Sequence, residues 1–226
     1  MTSPARRHFE RVSAAQAAAD AGEAPMQGEA FELMQAALFE DYRLLKSTQS
    51  MERKAEIKRE ILPKYADYIT GVLEAGQGAQ DDVLMRVMLW RIDAGDLAGA
   101  IAIAKYAIKH GLTPPDQFER GTAAIIAEEV ADQALKLLDD DNTNTTELLA
   151  QLEEVEQLTG DADMHDQIRA KLHKALGYAQ RANAQLEAAQ TNLERALSLN
   201  DRIGVKKDLE RLEREIKQNA AAKPTG

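Results

Sequence analysis

Six carboxylates at short spacing are where catalysis would first be sought: Asp81, Asp82, Asp93, Asp96, Glu128 and Glu129. A metal-dependent nuclease holds one or two Mg²⁺ ions with clustered carboxylates, which makes Asp81, Asp82 and Asp96 the candidates for such a centre. Each also has a structural role to fill. Asp81 or Asp82, and Asp96, stand where helix N-caps belong, and there a short acceptor satisfies the free N–H groups of the first turn. Asp93 stands at a helix end, and Glu128-Glu129 fall on a solvated face. Other chemistry has no foothold. There is no Gly-rich loop followed by Lys-Ser/Thr, no dinucleotide fingerprint and no His-Glu-x-x-His. Of His8, His110, His165 and His173 only the last two are near each other, without a third ligand, and they read as surface and helix-end histidines. The absence of cysteine excludes disulfides, thiolate nucleophiles and Cys-ligated metal in this chain.

The cations say more. Tyr42–Lys64 carries 7 basic and 3 acidic residues. Within it Arg53, Lys54, Lys58 and Arg59 recur at helical spacing, so that some share a face able to neutralise phosphates. The competing reading is a solvated helix laced with Glu–Lys pairs from Glu52, Glu56 and Glu60. Arg6, Arg7 and Arg11 near the start could form a DNA-contacting arm. No aromatic interleaving marks a platform for stacking single-stranded bases.

The elements that must position these residues are helices. The chain has 226 residues and 44% hydrophobic side chains, but only 4% aromatics. Ala, Leu, Glu, Gln, Lys and Arg fill much of the rest, and these are strong helix formers. Val/Ile/Thr/aromatic alternation is absent, so the fold class expected is all-α. The first 20 residues hold no apolar run that could serve as a signal peptide, and no segment approaches 18 consecutive apolar residues. A cytosolic protein is expected.

Residues 1–28 read as a mobile basic arm, partly helical from Arg6 to Ala19. Residues 29–75 form a helical region with a basic face, suited to DNA binding or oligomerisation. Its apolar stripe runs through Phe31, Met34, Leu38, Tyr42 and Leu45, and Pro63 bends the chain near Leu62. Residues 76–115 form a helical hairpin around MLWRIDAGDLAGAIAIAKYAIKHG, with Gly95-Asp96 as the turn, Gly111 as the closing glycine and Thr113–Asp116 as the stop. Residues 116–162 form an acidic helical region with an exposed loop at Asp139–Thr146. Residues 163–218 form a second hairpin and a closing helix, starting from Asp163 and Asp166 as a capping box. Residues 219–226 read as a frayed tail. The hairpins resemble tetratricopeptide-type pairs, in which large and small residues interlock: Gly177-Tyr178 falls in one helix and Ala196-Leu197 in the next.

Net charge is −10, unevenly spread. Residues 1–64 balance 10 basic against 10 acidic, 65–114 hold 4 and 6, 115–166 hold 2 and 15, and 167–226 hold 12 and 7. An acidic middle and a basic C-terminal region can face different partners.

Three stretches resemble a known family. MTSPARRHFERVSAA at the start, EILPKYADYITGVLEAGQGAQDDVLMRVMLWRIDAGDLAGAIAIAKYAIKHGLTPP in the middle and MHDQIRAKLHKALG…ALSLNDRIGVKKDLERLEREIK at the end are similar to the small terminase subunit of peduovirus-type temperate tailed phages. The resemblance covers nearly the whole chain. It implies genome packaging: an oligomer, with a ring as one form, that recognises the cohesive-end site of concatemeric viral DNA and loads the large ATPase subunit, in the host cell cytoplasm. Members are often named the terminase endonuclease subunit. In terminases the metal-dependent nuclease belongs to the large subunit, so ATP and Mg²⁺ are expected there and no cofactor in this chain. The partners implied are double-stranded phage DNA, the large subunit and further copies of itself, with no membrane. Some relatives are expected to extend into a longer Lys/Arg-rich tail, whereas this chain ends Lys-Pro-Thr-Gly. On this reading the basic residues of the arm and of 43–64 contact DNA: Arg6, Arg7, Arg11, Arg53, Lys54, Lys58 and Arg59. Two alternatives stay open: a chain that itself cuts DNA with Mg²⁺ through Asp81, Asp82 or Asp96, and a helical-repeat adaptor that binds only protein.

Overall fold

A computed structural model describes residues 3–114 and 120–222. Every regular element among them is helical. The chain divides into two compact units, within Met1–Thr122 and Ala123–Gly226. The arm, the basic region and the first hairpin expected from sequence fall in the first unit, and the acidic stretch spans the boundary.

In the first unit α1 covers Pro4–Ala21, α2 Glu29–Ser47, α3 Met51–Ile61, α4 Ala66–Ala75, α5 Asp82–Ala94 and α6 Leu97–His110. A single 3₁₀ turn, Leu62–Tyr65, joins α3 to α4 where Pro63 removes a backbone donor. The core is α5, which buries Val83, Leu84, Met85, Val87, Met88, Leu89, Trp90, Ile92 and Ala94. Such all-round burial follows from its neighbours, since α2, α3, α6 and the 3₁₀ turn all pack on it. Trp90 meets Tyr65 edge-on, ring centroids 6.1 Å apart. Its ring thus packs on the 3₁₀ turn. The hairpin turn is as expected: Gly95 closes α5 at φ 86°, Asp96 caps α6, and Gly111 ends α6 at φ 68°.

The first residues differ from the mobile arm expected. They form α1, capped by Ser3 Oγ accepting from Arg6 N and packed along α4. The interface is made of small residues. Ala14 and Ala18 are fully buried, and Gly71 of α4 comes so close that an added Cβ would overlap the Arg11 carbonyl oxygen. A contact between Ala and Gly leaves no large apolar stripe to read in the sequence.

In the second unit α7 covers Thr122–Leu137, α8 Thr145–Thr159, α9 Asp166–Ala182, α10 Leu186–Leu199 and α11 Lys206–Ala222. The α9–α10 hairpin packs tightly: a Cβ at Gly177 would lie 2.7 Å from Leu193 and 3.2 Å from the Ala189 carbonyl oxygen. Beneath α11, Val205, Leu209 and Leu212 join Leu186, Ala189 and Leu193 in one cluster. Two boundaries are corrected. The residue before α9 is His165, with no side-chain cap bond, so Asp163 and Asp166 make no capping box. The closing helix continues through residues 219–222 of the expected tail. Residues 115 and 116 of the expected Thr113–Asp116 stop, and 223–226 of the tail, lie outside the described residues.

Candidate nucleic-acid interface

The candidate carboxylates are held as caps. Asp81 caps α5, accepting from Leu84 N at 2.9 Å, and also accepts from the Tyr68 hydroxyl at 2.7 Å. It is fully buried, and that burial pushes its carboxyl up to about 6 against the opposing pull of those bonds. The same burial, with Asp81 beside it, raises the Tyr68 hydroxyl. Asp96 accepts from Gly99 N at 2.9 Å and pairs with Arg91. Asp82 follows in the first turn of α5 and accepts from Gln80 Nε2 at 3.2 Å. Asp93 pairs with Lys58, and Glu128 with Lys171 at 3.3 Å. Among the described residues no three of His, Asp and Glu gather so as to hold a metal ion. His173 Nδ1 lies 2.8 Å from Asn192 Oδ1, and His110 packs on Tyr106, so the histidines do not converge.

The seven cations expected to touch DNA are dispersed, and six have partners inside the first unit. Arg6 pairs with Glu10 at 2.8 Å, Arg7 with Asp67 at 3.1 Å, and Arg11 Nε with Glu74 at 2.8 Å. The last two pairs tie α1 to α4. Arg53 meets Glu56 at 2.7 Å and Glu60 at 3.5 Å, and the Glu56 hydrogen bond leads in holding its guanidinium above the ordinary value. Lys58 is 8% exposed and pairs with Asp93. Arg59 Nε donates to the Ala94 carbonyl oxygen at the end of α5, at 3.0 Å. Lys54, half-buried, makes no hydrogen bond or ion pair through its side chain among the described residues. The helical spacing holds; five of the seven are exposed, while Lys58 is buried against α5.

Sequence reasoning passed over two features. Large apolar side chains stand in water on the first unit: Phe9 at 69%, Leu33 at 53%, Phe39 at 61% and Met51 at 71% exposed. In the second unit, Arg202, Lys206 and Lys207 are exposed where α10 turns into α11. The signal for the latter was the basic excess of residues 167–226.

This two-unit chain, all-helical and without an evident reaction centre among the described residues, belongs to the phage small terminase subunit family. The family profile, described as phage small terminase subunit, matches residues 35–167. Among curated proteins the chain is 46% identical over 224 residues, 99% of its own length and 90% of the relative's, to "Terminase, endonuclease subunit" of Escherichia phage P2. No solved structure matches. Among the described residues no helix is long and apolar enough to cross a membrane.

Proposed function

We propose that this small terminase subunit recognises the cohesive-end site of concatemeric phage DNA, and recruits and regulates the large ATPase-nuclease subunit for packaging in the host cytoplasm. The observation that carries the reading is a relationship to a terminase subunit that runs over 99% of the chain. The segregation of acidic residues into 115–166 and basic ones into 167–226 supports it, since one chain then offers separate surfaces to DNA and to protein. Self-association belongs to the same reading, and the apolar side chains left in water on α1, α2 and α3 support it. So does a tetratricopeptide-type reading of the α9–α10 hairpin, whose Gly177 lets the helices close on Leu193. ATP and Mg²⁺ are assigned to the large subunit. Full-length protein mixed with duplexes with and without the cohesive-end site tests the reading. Tighter binding to the former and capture of the large subunit are expected. Equal or no binding to both would remove site recognition from the chain.

A second reading has one observation behind it, the word "endonuclease" in the relative's name. On that reading Asp81, Asp82 or Asp96 would carry Mg²⁺-dependent cleavage. Purified protein with Mg²⁺ and cohesive-end DNA, without the large subunit, decides the matter: nicking that disappears in Asp82→Asn would establish it. No cut at high protein excess rejects it.

A further inference from the structure

We infer that the corner where α10 turns into α11 is a contact surface for duplex-DNA phosphates, carried by Arg202, Lys206, Lys207 and Arg211. This rests on the DNA-recognising reading above and assigns it a place in the second unit.

The cations there are nearly unpaired, whereas six of the seven first-unit cations named above have partners. Arg202, Lys206 and Lys207 are exposed and form no hydrogen bond or ion pair through their side chains among the described residues. Arg211 reaches only Asp208, at 3.7 Å, beyond hydrogen-bonding distance. All four line one open concavity of about 430 Å³, together with the carboxylates of Asp201 and Asp208. Asp208 is partly spoken for, since one of its oxygens accepts from the Tyr178 hydroxyl at 3.0 Å. From α9 beneath, Lys174 donates to the Ile203 carbonyl oxygen at 3.2 Å and adds a further positive charge under the loop. Glu210, three and four residues on from Lys207 and Lys206, is exposed beside them, and the four cations outnumber the two carboxylates that line the concavity.

The base is fixed. Asn200 Oδ1 accepts from Arg202 N at 3.1 Å, Ile203 N donates to the Asn200 carbonyl oxygen at 3.1 Å, and Val205 is fully buried. A preformed backbone lowers the ordering cost of binding. The fold itself gains nothing from these charges. Lys206 and Lys207 stand in the first turn of α11, where the helix field disfavours cations. Further along, Lys207, Arg211 and Arg214 recur at steps of four and three and share the exposed face, spanning about 10 Å. A row of that kind suits the regularly spaced charges of a nucleic-acid backbone. Neither an aromatic ring for stacking nor a buried cation for a small enclosed anion belongs to it, which leaves the phosphates of a duplex.

The test is the salt dependence of binding by full-length protein to labelled duplexes with and without the cohesive-end site. In Arg202→Ala/Lys206→Ala/Lys207→Ala the slope of log K against log salt is expected to flatten by about 3, roughly one for each phosphate no longer neutralised. The weakening should be similar on both duplexes, because phosphate contacts position a protein without reading sequence. Lys109→Ala, at the end of α6 in the first unit, should leave the slope alone, and Lys206→Arg/Lys207→Arg should keep it. A triple variant with wild-type helicity and wild-type slope would overturn the assignment while leaving site recognition standing. Should the triple variant lose helicity, Lys206→Gln/Lys207→Gln decides in its place, with a flattening of about 2 expected. No binding by the wild type would overturn the functional reading together with this one.

Discussion

Asp81 shows how a single side chain can serve structure while mimicking a site. Its carboxylate caps α5 and holds Tyr68, and burial raises it from 3.8 to about 6. Between those two values the folded state binds more protons than the unfolded one, so this group makes the protein more stable as pH falls from about 6 toward 4, and less stable as pH rises through that window. In urea titrations at pH 4.5 and 7, Asp81→Asn should remove this part of the pH dependence relative to wild type. Asp81→Ala should cost about 1–3 kcal/mol at both, losing the cap and leaving the Tyr68 hydroxyl unpaired. Lys58 makes the opposite point. Its place in the sequence points to phosphate, but it lies buried against Asp93. Lys58→Met should lower stability by on the order of 1–2 kcal/mol, since Asp93 keeps much of its access to water, and leave the DNA salt slope unchanged.

At the level of elements, legibility depended on what makes each contact. The α5–α6 hairpin could be read because aspartate caps, a left-handed glycine and branched apolar residues each leave a mark in the sequence. The packing of α1 on α4 could not, because alanine and glycine make it and hydropathy does not register them. Gly71→Ala places a methyl group against the Arg11 carbonyl oxygen and 3.0 Å from Ala14 Cβ. The expected cost is about 1–3 kcal/mol, read in thermal unfolding, with α1 cut faster by protease. The pairs Arg7–Asp67 and Arg11–Glu74 are too exposed to hold α1 by themselves.

For the whole molecule, charge placement matters more than net charge. A chain at −10 repels DNA at long range, and the acidic loop after α7 adds to this. Asp139→Asn/Asp141→Asn should speed association with duplex DNA at low salt, with the gain vanishing as salt rises, as stopped-flow mixing would show. Asp140 is left in place because its carboxylate accepts from Asn142 N at 3.0 Å.

The all-helical class, the Asp81 and Asp96 caps, the breaks at Pro63, Gly95 and Gly111, the acidic and basic blocks and the family were all legible in the order of the amino acids. These are local or additive properties: a cap needs only its own first turn, and a charge count needs no geometry. Which charges are available is a matter of tertiary packing. Helical spacing places Lys58 and Arg59, but their engagement by Asp93 and the Ala94 carbonyl is decided by the packing of α3 on α5. Those partners come from another helix, and the folded chain alone brings them together. The same packing left Arg202, Lys206 and Lys207 exposed without side-chain partners among the described residues, which composition alone does not show.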